Sequence, residues 1–169
     1  STFLQRAYDQ IMQDVCMLNL HVVFAIDRAG LVGDDGPTHH GVFDVGFLRQ
    51  MPGLLLLNPV SLAEQQDMLR WAVDAYEGPV AIRYPRGTEG SYKASDWKGP
   101  DTGIAVHRQG SDLTFVTYGS MLDNTLAAAD LLAQQGISAG VIRLMNLTDL
   151  HTAQILKEMG ESRLVVVVE

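Results

Sequence analysis

One cysteine, Cys16, is all that 169 residues carry. It cannot close an internal disulfide or share a cysteine-based zinc site, so a reducing, cytoplasmic setting is expected. Basic residues are scarce as well: 12 Lys and Arg stand against 20 Asp and Glu, for a net charge of −8. No Lys/Arg cluster breaks that acidic background, which argues against nucleic acid as a partner, because backbone phosphates must be neutralised by a basic surface. Long apolar runs are missing too. Those present, such as Leu54–Leu57 and Leu164–Val168, have the length of strands rather than the ~20 residues that cross a bilayer; no membrane partner is expected, and no stretch reads as a signal peptide. What remains is 47% hydrophobic and 19% charged, the composition of a globular protein with one domain or two small ones, and disorder is excluded.

Helix and strand patterns alternate along the chain. Phe3, Ala7, Ile11, Val15 and Leu18 fall on one stripe at steps of three and four, which predicts a first helix with Ser1 or Thr2 as N-cap and Cys16 on its apolar side, in the core. His21–Ile26 reads as a strand, Asp27–Gly41 as a long Gly- and Asp-rich loop, Asp44–Gln50 as a short helix and Leu54–Leu57 as another strand. A helix then begins at Ser61, which forms a capping box with Glu64. Leu62, Leu69, Ala72 and Val73 are its expected buried face, with Glu64, Gln65, Asp67, Arg70 and Asp74 wet. Val80–Ile82 is the next strand.

Between Gly87 and Gly103 the composition shifts to Gly, Ser, Lys, Asp and Pro without a period. This sets the boundary: residues 1–90 form one domain, 91–103 a linker and 104–169 a second domain. In the second, Leu113–Thr117, Ser138–Arg143 and Leu164–Val168 read as strands, and Ser120–Gln135 and Thr148–Met159 as helices stopped by Gly136 and Gly160. Strands spaced by helices predict an α/β protein with two doubly wound, mainly parallel sheets covered on both faces. The last run reads as a fully buried parallel strand. An opening straight into a helix and a close on such a strand are the marks expected of a piece of a longer protein, truncated at both ends.

In such folds ligands bind beyond the carboxyl ends of strands, where two segments carry suitable chemistry. Asp27–Gly41 combines four glycines with Arg28, Asp35, His39 and His40, that is, a fixed cation, a carboxylate and two groups that move protons near neutral pH. The plainer reading is a solvated surface loop. Arg83-Tyr84-Pro85-Arg86 has its own plain reading, two surface arginines. A guanidinium fork suits phosphate, however, and Arg28 and Arg86 converging from neighbouring strand ends would clamp one. Gly30, Gly33 and Gly36 do not fit the dinucleotide fingerprint, no Walker lysine follows them, and no Gly-x-Ser-x-Gly elbow supplies a hydrolase nucleophile. Asp34, Asp35, His39 and His40 lie too close along one loop to chelate together, so no metal site is expected in this chain. His21, His107 and His151 are scattered and read as strand- or helix-edge residues.

The runs Phe3-Leu4-Gln5-Arg6-Ala7-Tyr8-Asp9-Gln10, Asp27-Arg28-Ala29-Gly30, Asp35-Gly36-Pro37-Thr38-His39 and Arg83-Tyr84-Pro85-Arg86-Gly87 resemble the 1-deoxy-D-xylulose-5-phosphate synthase family of transketolase-like thiamine-diphosphate enzymes. Transketolases share something like the Asp-Gly-Pro-Thr-His run, whereas Asp-Arg-Ala-Gly and Arg-Tyr-Pro-Arg-Gly are similar to the synthase in particular. The resemblance is strong over residues 1–90 and one of pattern over 104–169. It implies a partial pyrimidine-binding domain followed by a transketolase C-terminal-like domain. It also implies a transferase that condenses pyruvate with D-glyceraldehyde 3-phosphate, with loss of carbon dioxide, in isoprenoid, thiamine and pyridoxal precursor biosynthesis. Thiamine diphosphate and Mg²⁺ are the implied cofactors, and a homodimer the implied assembly of the intact enzyme.

Matched residue by residue, Arg28 and Arg86 correspond to the arginines that grip the substrate phosphate, and Arg6 to another active-site arginine. His39 and Asp35 correspond to the catalytic pair beside the reacting carbonyl and hydroxyl groups, and Phe3 to the aromatic that stacks on the aminopyrimidine ring. The family's catalytic glutamate and its diphosphate and Mg²⁺ site have no counterpart here. Most of the cofactor is therefore expected to be bound by segments outside this chain, and the chain alone to be inactive. Two other readings stay open: a transketolase or E1-type subunit, and a non-catalytic α/β module that binds a phosphorylated metabolite. The two arginines speak against an acceptor without phosphate.

Overall fold

Leucine-rich and β-branched runs build two sheets. In the computed structural model, which describes residues Ser1–Glu169, β1 (Val23–Ile26), β2 (Leu55–Leu57) and β3 (Val80–Arg83) form a parallel sheet in the order β1-β3-β2. β4 (Ile104–Arg108), β5 (Leu113–Tyr118), β6 (Ala139–Leu144) and β7 (Leu164–Val168) form the second, in the order β4-β6-β5-β7. Its ladders are parallel except β4 on β6, which is antiparallel. The expected pair of mainly parallel sheets is present. β4 itself has no counterpart in the sequence reading; its short Ile-Ala-Val-His-Arg run becomes a strand by pairing with β6, a tertiary effect that local propensity does not carry. The helices are α1 (Asp44–Leu48), α2 (Leu62–Asp74), α3 (Leu122–Gln134) and α4 (Thr152–Met159). The last two begin later than expected, after a 3₁₀ turn at Gly119–Met121 and after His151 in a left-handed conformation.

Three expectations about burial are corrected. The opening helix is not one regular α-helix: Thr2–Ala7 is 3₁₀ and Gln10–Cys16 is π, with Met17 donating to Met12 O at 2.8 Å. A change of winding rotates a stripe off one face, so Ile11 and Cys16 are buried while Phe3 and Leu18 are 51% and 64% exposed. Ser1 does not cap; its hydroxyl donates to Arg28 O at 3.1 Å. On α2, Ser61 Oγ accepts the Glu64 amide as expected, and the Glu64 carboxylate reaches back to the Val60 amide at 3.0 Å. The buried face, however, is Glu64, Met68 and Ala72, whereas Leu62, Leu69 and Val73 face outward. Glu64 is inside because Arg143 of β6, itself fully buried, grips it with both prongs at 2.7 Å. Finally, β7 pairs only with β5 and lies at the sheet edge with Leu164, Val165 and Val167 exposed, because nothing in this chain covers its outer side.

The two units share their interior. One apolar cluster joins Ile26, Leu56 and Ala81 of the first sheet to Ile104, Ile142 and Leu144 of the second. Asn58, fully buried at the end of β2, donates to Met145 O at 3.0 Å and accepts the Gly119 amide at 2.8 Å. Arg143 adds an ionic tie, reaching Glu64 on α2 and, at 3.0 Å, Asp96 in the irregular segment that follows Gly87. Burying a charge is costly unless it is paired and hydrogen-bonded; two carboxylates meet that requirement here.

Candidate functional site

The carboxyl ends of β1 and β3 lie side by side, since Ile26 is in register with Arg83. The chain leaves β1 into the loop Asp27–Gly41. Gly30 and Gly41 exchange two backbone hydrogen bonds of 2.8 Å, which close the loop at its base. Only glycine fits at position 41, because an added Cβ would lie 1.7 Å from Ser1 Oγ and 2.2 Å from Arg28 O. Arg28 holds a left-handed backbone at φ 57°, a costly conformation for a residue with a side chain and one that concentrates at functional sites.

Strand position and loop closure bring Arg28 and Arg86 together. Arg28 Nε donates to Asp35 Oδ2 at 2.8 Å, and an Arg86 Nη donates to the other oxygen of the same carboxylate. Asp27 also pairs with Arg28. The Arg28 guanidinium, and after it that of Arg86, hold the Asp35 carboxyl below the usual carboxylate range, and Asp35 in turn raises Arg28. Both arginine side chains remain partly open, 38% and 46% exposed. Asp35 thus keeps two like charges close, oriented and accessible.

A second group lies beside the first. Phe3 meets His39 edge to face with ring centres 5.1 Å apart, and the Arg6 guanidinium lies 5.2 Å over the Phe3 ring. Arg6 makes no ion pair. His39 Nδ1 is 3.0 Å from the Thr38 hydroxyl, which leaves Nε2 without a protein partner. The neighbouring His40 is occupied differently: its Nδ1 accepts the Val32 amide at 3.0 Å, so it holds the loop. Phe3, Arg28 and His39 line one open cavity of about 570 Å³ against the outer side of β1. Arg86 and Asp35 join it through Arg28, and Arg6 through Phe3. A second cleft, of about 510 Å³, opens between the two units, with Glu89 and Asp123 and no Lys or Arg on its walls. No three His, Cys, Asp or Glu side chains are placed to hold a metal ion, and no helix is long and apolar enough to cross a membrane.

Two buried ion pairs escape the sequence reading. Arg83 was grouped with Arg86 as a surface residue, yet it is 7% exposed and grips Asp44 through Nε at 2.9 Å and Nη2 at 3.1 Å. The Arg143–Glu64 pair has a visible signal in retrospect: each is a charged residue on an otherwise apolar strand or helix face.

Known proteins share this chain's sequence and fold. The sequence matches the profile of the transketolase pyrimidine-binding domain over residues 1–89 and that of the transketolase C-terminal domain over residues 103–169. It is 48% identical over 172 residues to a 1-deoxy-D-xylulose-5-phosphate synthase of Heliobacterium modesticaldum, covering 100% of this chain and 26% of that protein. A synthase of the same name from Chlorobium luteolum is 46% identical over 171 residues, again covering 100% of this chain and 27% of the other. The chain therefore spans about a quarter of the length of these curated relatives. Among solved structures, a split-gene transketolase described as an inactive beta4 tetramer superposes with a TM-score of 0.86 at 27% identity, covering 99% of this chain and 54% of that one. A transketolase from Campylobacter jejuni gives 0.79 at 17% identity over 99% of this chain and 30% of its own, which speaks to the fold alone. The chain belongs to the transketolase family, with a pyrimidine-binding domain followed by a C-terminal domain.

Proposed function

We propose that the chain is the pyrimidine-binding and C-terminal portion of a thiamine-diphosphate-dependent transferase that condenses pyruvate with D-glyceraldehyde 3-phosphate, releasing carbon dioxide and forming 1-deoxy-D-xylulose 5-phosphate. The division is residues 1–90, a linker at 91–103 and residues 104–169; the enzyme is cytoplasmic and a homodimer, and this portion alone is inactive. One observation supports the reading above all others: Arg28 and Arg86, from different strand ends, meet on one carboxylate with both guanidiniums still open.

The residues divide the work by their chemistry. The forks of Arg28 and Arg86 take the acceptor phosphate, and Asp35 keeps them together and aimed beforehand, so that little ordering remains to be done on binding. Asp35 also accepts from an acceptor hydroxyl. His39 Nε2, free of protein partners and on the cavity wall, exchanges a proton with the acceptor's carbonyl oxygen, since an imidazole nitrogen can both give and take one. Phe3, half exposed on the cavity wall, offers a flat face for the aminopyrimidine ring, and Arg6 adds positive charge beside it. The residues present fit the ring half of the cofactor; Mg²⁺ and the diphosphate belong to segments outside this chain. The cofactor, when bound, supplies the electron sink for decarboxylation.

The test is donor and acceptor preference in the intact polypeptide with thiamine diphosphate and Mg²⁺. Pyruvate and glyceraldehyde 3-phosphate should yield carbon dioxide and 1-deoxy-D-xylulose 5-phosphate. Transfer from a ketose phosphate instead would establish the transketolase reading, and phosphate binding without turnover the non-catalytic one.

A further inference from the structure

Arg83 ends β3, three residues before Arg86, and does not line the open cavity. Its guanidinium nevertheless joins three segments. Nε and Nη2 hold both oxygens of Asp44, the first residue of α1, which is 1% exposed. Nη2 also donates to Gly41 O at 3.4 Å, at the base of the loop that carries Asp35 and His39. From the C-terminal unit, the Tyr118 ring lies 5.5 Å from the guanidinium carbon. The Tyr118 hydroxyl donates to Glu169 Oε2 at 2.7 Å, a bond separate from the contact between ring and guanidinium.

A bidentate fork on a carboxylate fixes a distance and two angles at once, which a flexible ammonium does not. Because Arg83 and Asp44 are both desolvated, neither leaves the pair without stranding a buried charge, so the tie does not come and go with surface motion. One end of it is the last residue of the strand that leads into Arg86. The other end is the base of the loop that carries Asp35 and His39. An aromatic face against the guanidinium favours that position of the cation and comes from a unit that gives the site no side chain of its own.

We propose that Arg83 is a positioning residue: paired with Asp44 and Gly41 and backed by Tyr118, it sets the spacing between Arg86 and the Asp35–His39 loop and makes the phosphate grip depend on the C-terminal unit. This rests on the reading that Arg28 and Arg86 take the acceptor phosphate. A shift of the strand end against the loop spoils a two-armed grip before it affects anything that binds pyruvate.

The experiment is steady-state kinetics on the intact enzyme, with the thermal midpoint of each variant measured alongside. Arg83→Lys should raise KM for glyceraldehyde 3-phosphate about tenfold, and Tyr118→Leu about threefold, with KM for pyruvate unchanged in both. Tyr118→Phe, which keeps the ring and loses only the hydroxyl, should restore the wild-type acceptor KM. An unchanged acceptor KM in Tyr118→Leu overturns the proposal whatever the thermal midpoint does, and so does an equal rise for pyruvate. The Tyr118 pair alone decides the matter if Arg83→Lys fails to fold. Arg86→Ala separates the two layers: a normal acceptor KM there overturns the phosphate reading, whereas a raised one beside a normal Tyr118→Leu overturns only the positioning role.

Discussion

His107 on β4 shows how one residue ties pH to stability. Its Nε2 lies 3.3 Å from Arg143 Nε, which donates to it, and 3.6 Å from an Asp96 oxygen. Burial first, and the Arg143 charge second, hold its pKa below the ordinary 6.5, against the opposing pull of Asp96 and Glu64. The unfolded chain therefore binds the His107 proton more readily than the folded one, so stability is complete above that ordinary value and declines as pH falls below it. Urea unfolding at pH 7.5 and 5.5 should show this loss, and His107→Gln, which keeps an acceptor for Arg143, should reduce it; an undiminished loss in that variant removes His107 as the cause. At this scale the open chemistry was legible in the sequence and the buried chemistry was not. Arg28, Asp35, His39 and Arg86 stood out as ionisable residues at strand ends, and the structure brings them into one region. Arg83 looked like Arg86 until burial separated them, and His39 looked like His40 until the Val32 amide was found on the His40 ring.

Secondary-structure elements follow their local code where side chains pack on one face, and depart from it where a distant partner intervenes. On α2 the apolar count favoured Leu62, Leu69, Ala72 and Val73 as the buried set; Ala72 is buried, but Arg143 draws Glu64 inward and with it Met68, and the other three face outward. Met68 is fully buried and Leu69 is 42% exposed, which gives a direct comparison of neighbours. Met68→Ala should cost about 2–5 kcal/mol by leaving a cavity, and Leu69→Ala in the isolated chain about 0.5 kcal/mol or less. Equal losses by denaturant unfolding would place the helix in the wrong rotation. The strands at Val23–Ile26, Leu55–Leu57, Val80–Arg83 and Leu113–Tyr118 were legible within two residues at either end, because their β-branched and leucine-rich runs are bounded by turn residues. β4 was not, since pairing rather than composition makes it a strand. The burial of β7 was misjudged because apolar composition says a strand can be covered, not that a neighbour in the same chain covers it.

Across the whole molecule, a shared apolar cluster, Asn58 and Arg143 couple the two units, while the proposed chemistry sits at the carboxyl ends of β1 and β3, with Phe3 and Arg6 from the opening segment. Asn58 and Arg143 join helix, strand and linker far apart in the chain, and no local pattern announces such pairs. The central claim is that two arginines brought together by the fold recognise a phosphate. Its most direct measurement is the ratio of kcat/KM for glyceraldehyde 3-phosphate to that for unphosphorylated glyceraldehyde in the intact enzyme, before and after Arg86→Ala. The account predicts that the ratio falls by about tenfold or more, through loss on the phosphorylated acceptor, as expected when one charge-assisted bond is removed. A ratio that stays the same would contradict it.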